Sequence, residues 1–297
     1  MATSLFRSVE GESRTVAAYD AVLARWPLPY EERDVSTRFG PTHVLISGSP
    51  GAKPLVLLHG QDSSATSWIY NVADLGRSFC LHAVDTIGDL GKSRPTRLPS
   101  NREDYACWLL DVLDQLEISA ADLVGLSYGG FLAVNFAIAY PERVGHVVLL
   151  APGIPNFGPP TLKWASFGMP MMSMPSRRTI RRFIRGASTA GYASGDPVHE
   201  QMIIGMTNMN KVSFMRPVFE KQELENMHVP ALLLIGDHEI MYAPKKAAER
   251  AAGLIPRLHV QIIGNAGHML NYDQPGVVDK LISDFLSGQG SPQNAHT

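Results

Sequence analysis

A serine stands between glycines where a predicted strand meets a predicted helix. The stretch Asp122-Leu-Val-Gly-Leu-Ser127-Tyr-Gly-Gly130 reads as a short apolar strand, the pattern Gly-x-Ser-x-Gly, and the start of an apolar helix. Such a turn is too tight for Cβ atoms beside the serine, which is why glycines flank it. The turn lifts the hydroxyl clear of both elements, so Ser127 is predicted to act as a nucleophile.

A serine hydroxyl is a weak nucleophile until a base takes its proton, and that base needs an acid to orient it. The candidate base is His268, in the loop Gly264-Asn-Ala-Gly-His-Met269. The candidate acid is Asp237, directly after the apolar run Leu-Leu-Leu-Ile-Gly, and Glu239 is the alternative acid two residues further on. The order serine, aspartate, histidine along the chain is the one expected when a Gly-x-Ser-x-Gly elbow sits in such a sheet.

Short apolar strands alternate with helical patterns along most of the chain. This alternation predicts an α/β fold with a mostly parallel sheet covered by helices on both faces. A helix over about 13–26 and a hairpin around Gly40-Pro41 precede the alternation.

Residues 152–229 interrupt the alternation between predicted strands 6 and 7, and they contain nine of the 12 methionines. We interpret them as a helical cap above the strand ends, where α/β sheets bind ligands. Ordinary hydrophobic core is the alternative, because methionine fills irregular gaps anywhere. Five side chains are predicted to line a substrate pocket: Trp164, Phe167, Met169, Met172 and Met269.

The domain organisation follows from these patterns. We expect an N-terminal helical extension over 1–30, an α/β core formed by 31–151 and 230–288, the cap over 152–229, and a disordered tail over 289–297.

These motifs resemble those of α/β-hydrolases of the capped, esterase-like type, over roughly residues 35–286. The matching features are His59-Gly60 after the third predicted strand, the serine turn, Leu-Ile-Gly-Asp237 and Gly-His268. The resemblance implies an oxyanion hole made by the backbone N–H groups of Gln61 and Tyr128, which would stabilise the charge on a tetrahedral intermediate.

One turn departs from the family pattern. The stretch from Asp85 to Ser93 is similar to the family's D-x-x-G-x-G-x-S turn, but it carries Asp89-Leu90-Gly91 where the shorter form has one residue between glycines.

The resemblance and the three side chains together imply a serine hydrolase that cleaves carboxylic esters with an apolar portion through an acyl-enzyme, without a cofactor. Thioesterase, lactonase, carbon–carbon hydrolase or lyase chemistry on the same residues, and non-catalytic binding of a small molecule, are the alternatives. Serine at position 127 argues against dehalogenases and epoxide hydrolases of this fold, which the resemblance would give an aspartate there.

Composition limits the partners and the location. The net charge of −2 and the lack of a basic tail argue against nucleic acid. Cys80 and Cys107 show no ligand spacing, so no metal is expected, and free thiols fit a reducing compartment. With no apolar leader and no run long enough to span a bilayer, we expect a cytoplasmic monomer or homodimer that acts on a small-molecule ester.

Five arginines follow helical spacing in the predicted cap, and a solvated helix face is the ordinary explanation. Docking of an anionic substrate or an acidic carrier protein is the alternative. These arginines are Arg177, Arg178, Arg181, Arg182 and Arg185.

Overall fold

The computed structural model describes residues 5–210 and 218–288, which form eight strands and eleven α-helices. The strands are β1 Tyr30–Thr37, β2 Gly40–Gly48, β3 Pro54–Leu58, β4 Cys80–Val84, β5 Ala121–Leu126, β6 Val144–Leu150, β7 Ala231–Gly236 and β8 Leu258–Ile263. The helices are α1 Val9–Leu23, α2 Val72–Leu75, α3 Arg102–Gln115, α4 Tyr128–Ala139, α5 Leu162–Ser173, α6 Arg177–Ala187, α7 Pro197–Asn208, α8 Lys221–Glu225, α9 Pro244–Ala252, α10 Leu270–Asp273 and α11 Pro275–Leu286. Short 3₁₀ turns cover Ala65–Tyr70, Pro141–Arg143 and Pro155–Phe157.

The eight strands form one sheet in the order β1-β2-β4-β3-β5-β6-β7-β8. Strands β1 and β2 pair antiparallel as the hairpin around Gly40, and β2 continues antiparallel against β4. From β4 to β8 all neighbours are parallel. The prediction of a mostly parallel α/β sheet is therefore confirmed.

The central strands are apolar throughout because both faces of the sheet are buried. Along β3, Val56 and Leu58 pack into the core on one face, and Leu55 and Leu57 pack into the core on the other. This alternation follows from the two-residue period of a strand. Because β3, β5, β6 and β7 are consecutive parallel neighbours, their carboxyl ends lie at one edge of the sheet, where the candidate site residues follow β3, β5 and β7.

Helices α5, α6 and α7 lie in the chain between β6 and β7 and share one hydrophobic cluster, to which Leu5, Phe6, Leu90, Met209 and Ile240 also contribute. The two ends of the interval 152–229 pack with the α/β core. Phe157 and Phe219 lie in the core cluster that α3 and α4 form on one face of the sheet, together with Leu224 of α8. The bounds 152–229 of the cap stay a prediction from the sequence. We use the word cap for α5 to α7.

The N-terminal segment joins the cap to the core. Phe6 pairs with Met209 in an antiparallel bridge, and the N–H of Arg7 donates to the carbonyl of Asn208 at 2.9 Å. Helix α1 begins at Val9, earlier than predicted, because the Ser8 hydroxyl caps it by accepting the N–H of Gly11 at 3.0 Å. Tyr19 and Leu23 of α1 then pack into a core cluster.

The predicted tail over 289–297 lies outside the described residues. Within 5–210 and 218–288, none of the helices combines the length and the hydropathy needed to cross a bilayer.

Candidate active site

The turn between β5 and α4 places Ser127 at a sharp bend. The serine has φ 50° and ψ −109°, a conformation that side-chain-bearing residues adopt only under constraint. A Cβ at Gly125 would lie 2.3 Å from the carbonyl oxygen of Gly129, and one at Gly129 would lie 2.0 Å from that of Leu58. The glycines are needed because backbone approaches them too closely for any side chain.

His268 stands opposite the serine. Its Nε2 lies 3.0 Å from Ser127 Oγ, and both residues are buried. The loop that carries it runs tightly under the end of α6, because a Cβ at Gly267 would lie 2.3 Å from the carbonyl oxygen of Ala187. The N–H of Met269 donates to that same carbonyl at 3.1 Å. The end of α6 therefore helps to fix the position of the histidine.

Asp273 holds the histidine loop from the other side. One of its carboxylate oxygens accepts the N–H of Gly267 at 2.7 Å and the N–H of Thr189 at 3.0 Å. The other accepts the hydroxyl of Ser188 and the N–H of Ala190. A single carboxylate thus ties the loop before His268 to the segment that follows α6.

The acid that contacts His268 is Glu239, and the prediction of Asp237 is corrected. The Glu239 carboxylate oxygens lie 3.0 and 2.9 Å from His268 Nδ1, and its side chain has no exposed surface. The Asp237 carboxylate instead contacts His238 Nδ1 at 2.7 Å and accepts the N–H of Ala266 at 3.2 Å. Its side chain is 38% exposed.

The path of the chain after β7 explains why Glu239, and not Asp237, contacts His268. A Cβ at Gly236 would meet the carbonyl oxygen of Ala266 at 2.2 Å, so the two loops touch there. The N–H of Asp237 still donates to Ile263, and that of His238 donates to Ala266, both at 2.9 Å. Pairing therefore continues past the strand end, and only at Glu239 does a carboxylate reach the histidine.

The loop after β3 passes beside Ser127. A Cβ at Gly60 would lie 3.5 Å from Ser127 Cβ. The N–H of Thr86 donates to His59 Nε2 at 2.9 Å, so the neutral ring carries its proton on Nδ1 and donates it to the carbonyl of Gly60 at 2.8 Å. Burial lowers the pKa of His59, which favours this neutral form.

A cavity opens above Ser127 and His268, between the sheet and the cap. Three residues predicted for the pocket line it, namely Trp164, Met172 and Met269. Phe167 and Met169 are corrections, since neither lines the cavity. The ring of Phe167 packs between α5 and α6 beneath Arg182, and Met169 is 55% exposed on the outer side of α5.

The cavity wall also contains residues that the sequence analysis did not predict. The apolar members lie on α5, α6, α7 and the turn after β7, with Leu126 at the end of β5. The polar members lie on the loop after β3, the 3₁₀ turn that follows, α7 and α10. The apolar additions are Met171, Phe183, Val198, Met202 and Met241, and the polar additions are Asp62, Ser63, Ser67, His199, Asn271 and Tyr272. Helical spacing from Trp164 and Gly168 would have pointed to Met171.

The fold and the site together define a hydrolase in which a carboxylate, a histidine and a serine form a chain of hydrogen bonds. Residues 55–281 match the family model described as "Alpha/beta hydrolase family". The chain belongs to this α/β-hydrolase family.

Two carboxylesterases of Bacillus subtilis are similar to nearly the whole chain. The carboxylesterase YbfK of Bacillus subtilis is 37% identical over 292 residues, which is 95% of this chain and 97% of that protein. The crystal structure of this esterase, which is also called CesB, superposes with a TM-score of 0.88 over 94% of this chain and 99% of that chain. The naproxen esterase of Bacillus subtilis is 34% identical, with a TM-score of 0.87 over 94% and 99% of the two chains. The prediction of an esterase-like α/β-hydrolase is confirmed.

Proposed function

We propose that this protein hydrolyses carboxylic esters with an apolar portion, with Ser127 as nucleophile, His268 as base and Glu239 as the acid that orients it. The hydrogen-bonded series from Glu239 through both nitrogens of His268 to Ser127 Oγ carries the proposal. Ester hydrolysis by relatives of 34–37% identity supports it.

The geometry suits acyl transfer. His268 Nε2 accepts the proton of the Ser127 hydroxyl while the oxygen attacks the ester carbonyl carbon, and Glu239 stabilises the resulting imidazolium through Nδ1–H. Collapse of the tetrahedral intermediate releases the alcohol, which takes the proton from Nε2. A water molecule then gives its proton to His268 and attacks the acyl-enzyme, which frees the acid and restores the serine.

We assign the oxyanion donors to the backbone N–H groups of Gln61 and Tyr128. Tyr128 directly follows the nucleophile at the start of α4. For Gln61, the bond from His59 to the carbonyl of Gly60 supports the assignment. That carbonyl and the N–H of Gln61 belong to one trans peptide and point in opposite directions, so the N–H faces away from His59.

The apolar residues that line the cavity support a substrate with one apolar portion. Thioethers of Met171, Met172 and Met202 and the rings of Trp164 and Phe183 provide an adaptable apolar wall. Each methylene fully buried there would contribute about 0.8 kcal/mol to binding of the transition state. Polar groups that include Gln61 and Asn271 also line the cavity.

The cap arginines have partners of their own. Arg177 and Arg181 lie 3.5 and 3.6 Å from Glu200, and Arg181 and Arg185 lie over the ring of Tyr192. These contacts support a solvated helix face over docking of an acidic carrier protein. The cytoplasmic location and the monomeric or homodimeric state stay predictions from the sequence.

The proposal is tested with a fluorophosphonate probe and a series of 4-nitrophenyl esters. We expect wild-type protein to be labelled and to turn over esters, and Ser127→Ala to lose labelling and about 10⁴–10⁶ in kcat. Ser67→Ala is the matched control, because Ser67 also lines the cavity but has no contact with His268 among the described hydrogen bonds. Labelling that persists in Ser127→Ala, or disappears in Ser67→Ala, would contradict the assignment.

A further inference from the structure

The turn over residues 88–91, which is where this chain departs from the family's shorter pattern, lies between the loop after β3 and the cap. Its two inner residues face different neighbours. Asp89 contacts the loop that carries Gln61, and Leu90 packs into the cluster formed by the cap helices.

Asp89 is buried, with 1% of its surface exposed. One carboxylate oxygen accepts the N–H of Asp62 at 3.1 Å, and the other accepts the N–H of Leu90 at 2.8 Å. Burial, reinforced by the nearby Asp62 carboxylate, raises the pKa of Asp89 well above its usual range. Such a carboxyl is costly to bury, so its two backbone partners are the compensation that the structure provides.

The bond from Asp89 completes the restraint on Gln61. On one side of Gln61, His59 holds the carbonyl of Gly60 at 2.8 Å. On the other side, Asp89 holds the N–H of Asp62, which has the unusual φ of 60° for a residue with a side chain. Both peptide groups that flank Gln61 are thereby fixed, and they set the direction of its N–H.

Leu90 connects this arrangement to the cap. It is 2% exposed and shares the cap cluster with Ile203 and Met206 of α7. A Cβ at Gly205 would lie 2.7 Å from Leu90 Cδ2, so the backbone of α7 rests directly on the leucine side chain. Leu90 is not among the residues that line the cavity.

We propose that Asp89 is a positioning residue that holds the Gln61 N–H in its oxyanion-hole orientation, and that Leu90 couples the seating of cap helix α7 to Asp89. This inference rests on the proposed function of Gln61 and goes beyond it. The extra residue in the turn thus links the part of the protein that encloses the substrate to the part that stabilises the developing charge.

The first experiment is Asp89→Asn, with kcat and KM measured on a 4-nitrophenyl acetate too small to need the cap. If the amide turns its NH₂ toward the N–H of Asp62, that bond is lost; if it turns its oxygen there, the bond to Leu90 is lost. Because removing an oxyanion donor outright costs about 10²–10³ in rate, we expect kcat to fall about 10–100-fold with little change in KM. Labelling by fluorophosphonate should fall with kcat, because the phosphoryl oxygen occupies the same hole.

The matched control is Asp104→Asn, in the first turn of α3, the helix that follows the turn over 88–91. Asp104 accepts the N–H and the hydroxyl of Ser100, both at 2.8 Å. Among the described hydrogen bonds, none joins it to the loop after β3. We expect its kcat to stay within about twofold of wild type.

The second experiment is a double-mutant cycle with Leu90→Ala, which also decides the question should Asp89→Asn fail to fold. We expect Leu90→Ala to lower kcat on the acetate about fivefold or more, and the double variant to resemble Asp89→Asn alone, because the two residues act through one contact. Ile184→Ala is the control, since Ile184 is equally buried in the cap cluster and does not line the cavity.

Wild-type kcat in Asp89→Asn, or equal losses in Leu90→Ala and Ile184→Ala, would overturn the inference and leave the Ser127 assignment intact. Additive effects in the cycle would overturn the coupling between Leu90 and Asp89. Absence of ester turnover and labelling in the wild-type protein would instead overturn the proposed function.

Discussion

Glu239 and His268 meet across two separate loops, with both carboxylate oxygens within 3.0 Å of Nδ1. The Glu239 side chain is fully buried, and one of its oxygens also accepts the N–H of Met241 at 2.7 Å. The extra methylene of glutamate, compared with aspartate, spans the distance from a position three residues beyond the end of β7. This contact fixes the orientation of the imidazole toward Ser127.

We therefore expect Glu239→Gln to lower kcat by about 10³–10⁴, because a neutral amide neither stabilises the imidazolium nor selects its tautomer. The measurement is steady-state turnover of a 4-nitrophenyl ester, with circular dichroism to verify the fold. Asp237→Asn is the matched control on the same turn. Its exposed carboxylate contacts His238, so we expect a change of about twofold or less. A larger loss in Asp237→Asn than in Glu239→Gln would restore the original assignment.

Substrate choice should depend on Met172 and not on Phe167. Met172 lines the cavity, and Met172→Ala removes apolar contact with a long acyl or alcohol group. We expect kcat/KM to fall about fivefold for long-chain esters, which corresponds to about 1 kcal/mol of transition-state binding. For acetates it should change little. The test is a chain-length profile for each variant.

Phe167→Ala provides the control for this profile. The ring packs between α5 and α6, so its removal should lower the melting temperature without altering the relative preference among esters. A shifted profile in Phe167→Ala with an unchanged one in Met172→Ala would mean that the substrate occupies another space.

Asp273→Asn should loosen the loop that carries His268. The carboxylate accepts hydrogen bonds from Gly267, Ser188, Thr189 and Ala190, and bonds to a charged group typically contribute about 1.5–3 kcal/mol each. An amide can accept at only one of its two atoms. We expect a lower free energy of unfolding, measured in urea, and a reduced kcat with KM nearly unchanged. Unaltered stability and turnover would show that the loop is held by its backbone contacts alone.

The sequence sufficed for the fold because the signals that specify it are local. Apolar runs such as Leu232–Leu234 and the glycines around Ser127 determine strands and a turn without reference to the rest of the chain. The choice between Asp237 and Glu239 is not local. It depends on how far residues 236–238 continue to pair with residues 263–266, which the sequence does not encode in any short pattern.

The cavity wall illustrates the same limit. Phe167 and Met171 both follow Trp164 at helical spacing in α5, so spacing does not choose between them; the packing of α5 on α6 places Met171 at the cavity and Phe167 against Gly186. The ends of the predicted cap illustrate the same limit. Phe157 and Phe219, near the two ends, pack into the core cluster with α3 and α4. Composition cannot tell such core residues from apolar residues of the cap helices.

We expect Asp279 to make the free energy of unfolding depend on pH. The carboxyl group lies on α11 and accepts the side-chain N–H of Asn71 at 2.8 Å, and its second oxygen has no hydrogen-bond partner among the described residues. Burial raises the pKa of Asp279 to about 8. The unfolded chain, with a pKa near 4 for aspartate, loses this proton at far lower pH.

Between about pH 4 and pH 8 the unfolded state therefore binds fewer protons at this position than the folded state. The contribution of Asp279 to the free energy of unfolding falls by up to about 1.4 kcal/mol per pH unit across that window and is constant outside it. Asp279→Asn keeps an oxygen that accepts from Asn71 and removes the ionisation. We expect the variant to match wild type near pH 4 and to become progressively more stable than wild type as the pH rises to 8, measured as the urea midpoint at each pH. Asp284→Asn, an exposed change on the same helix, should show a difference from wild type that does not grow across this window. Parallel pH profiles for wild type and Asp279→Asn would mean that Asp279 is already ionised in the folded protein.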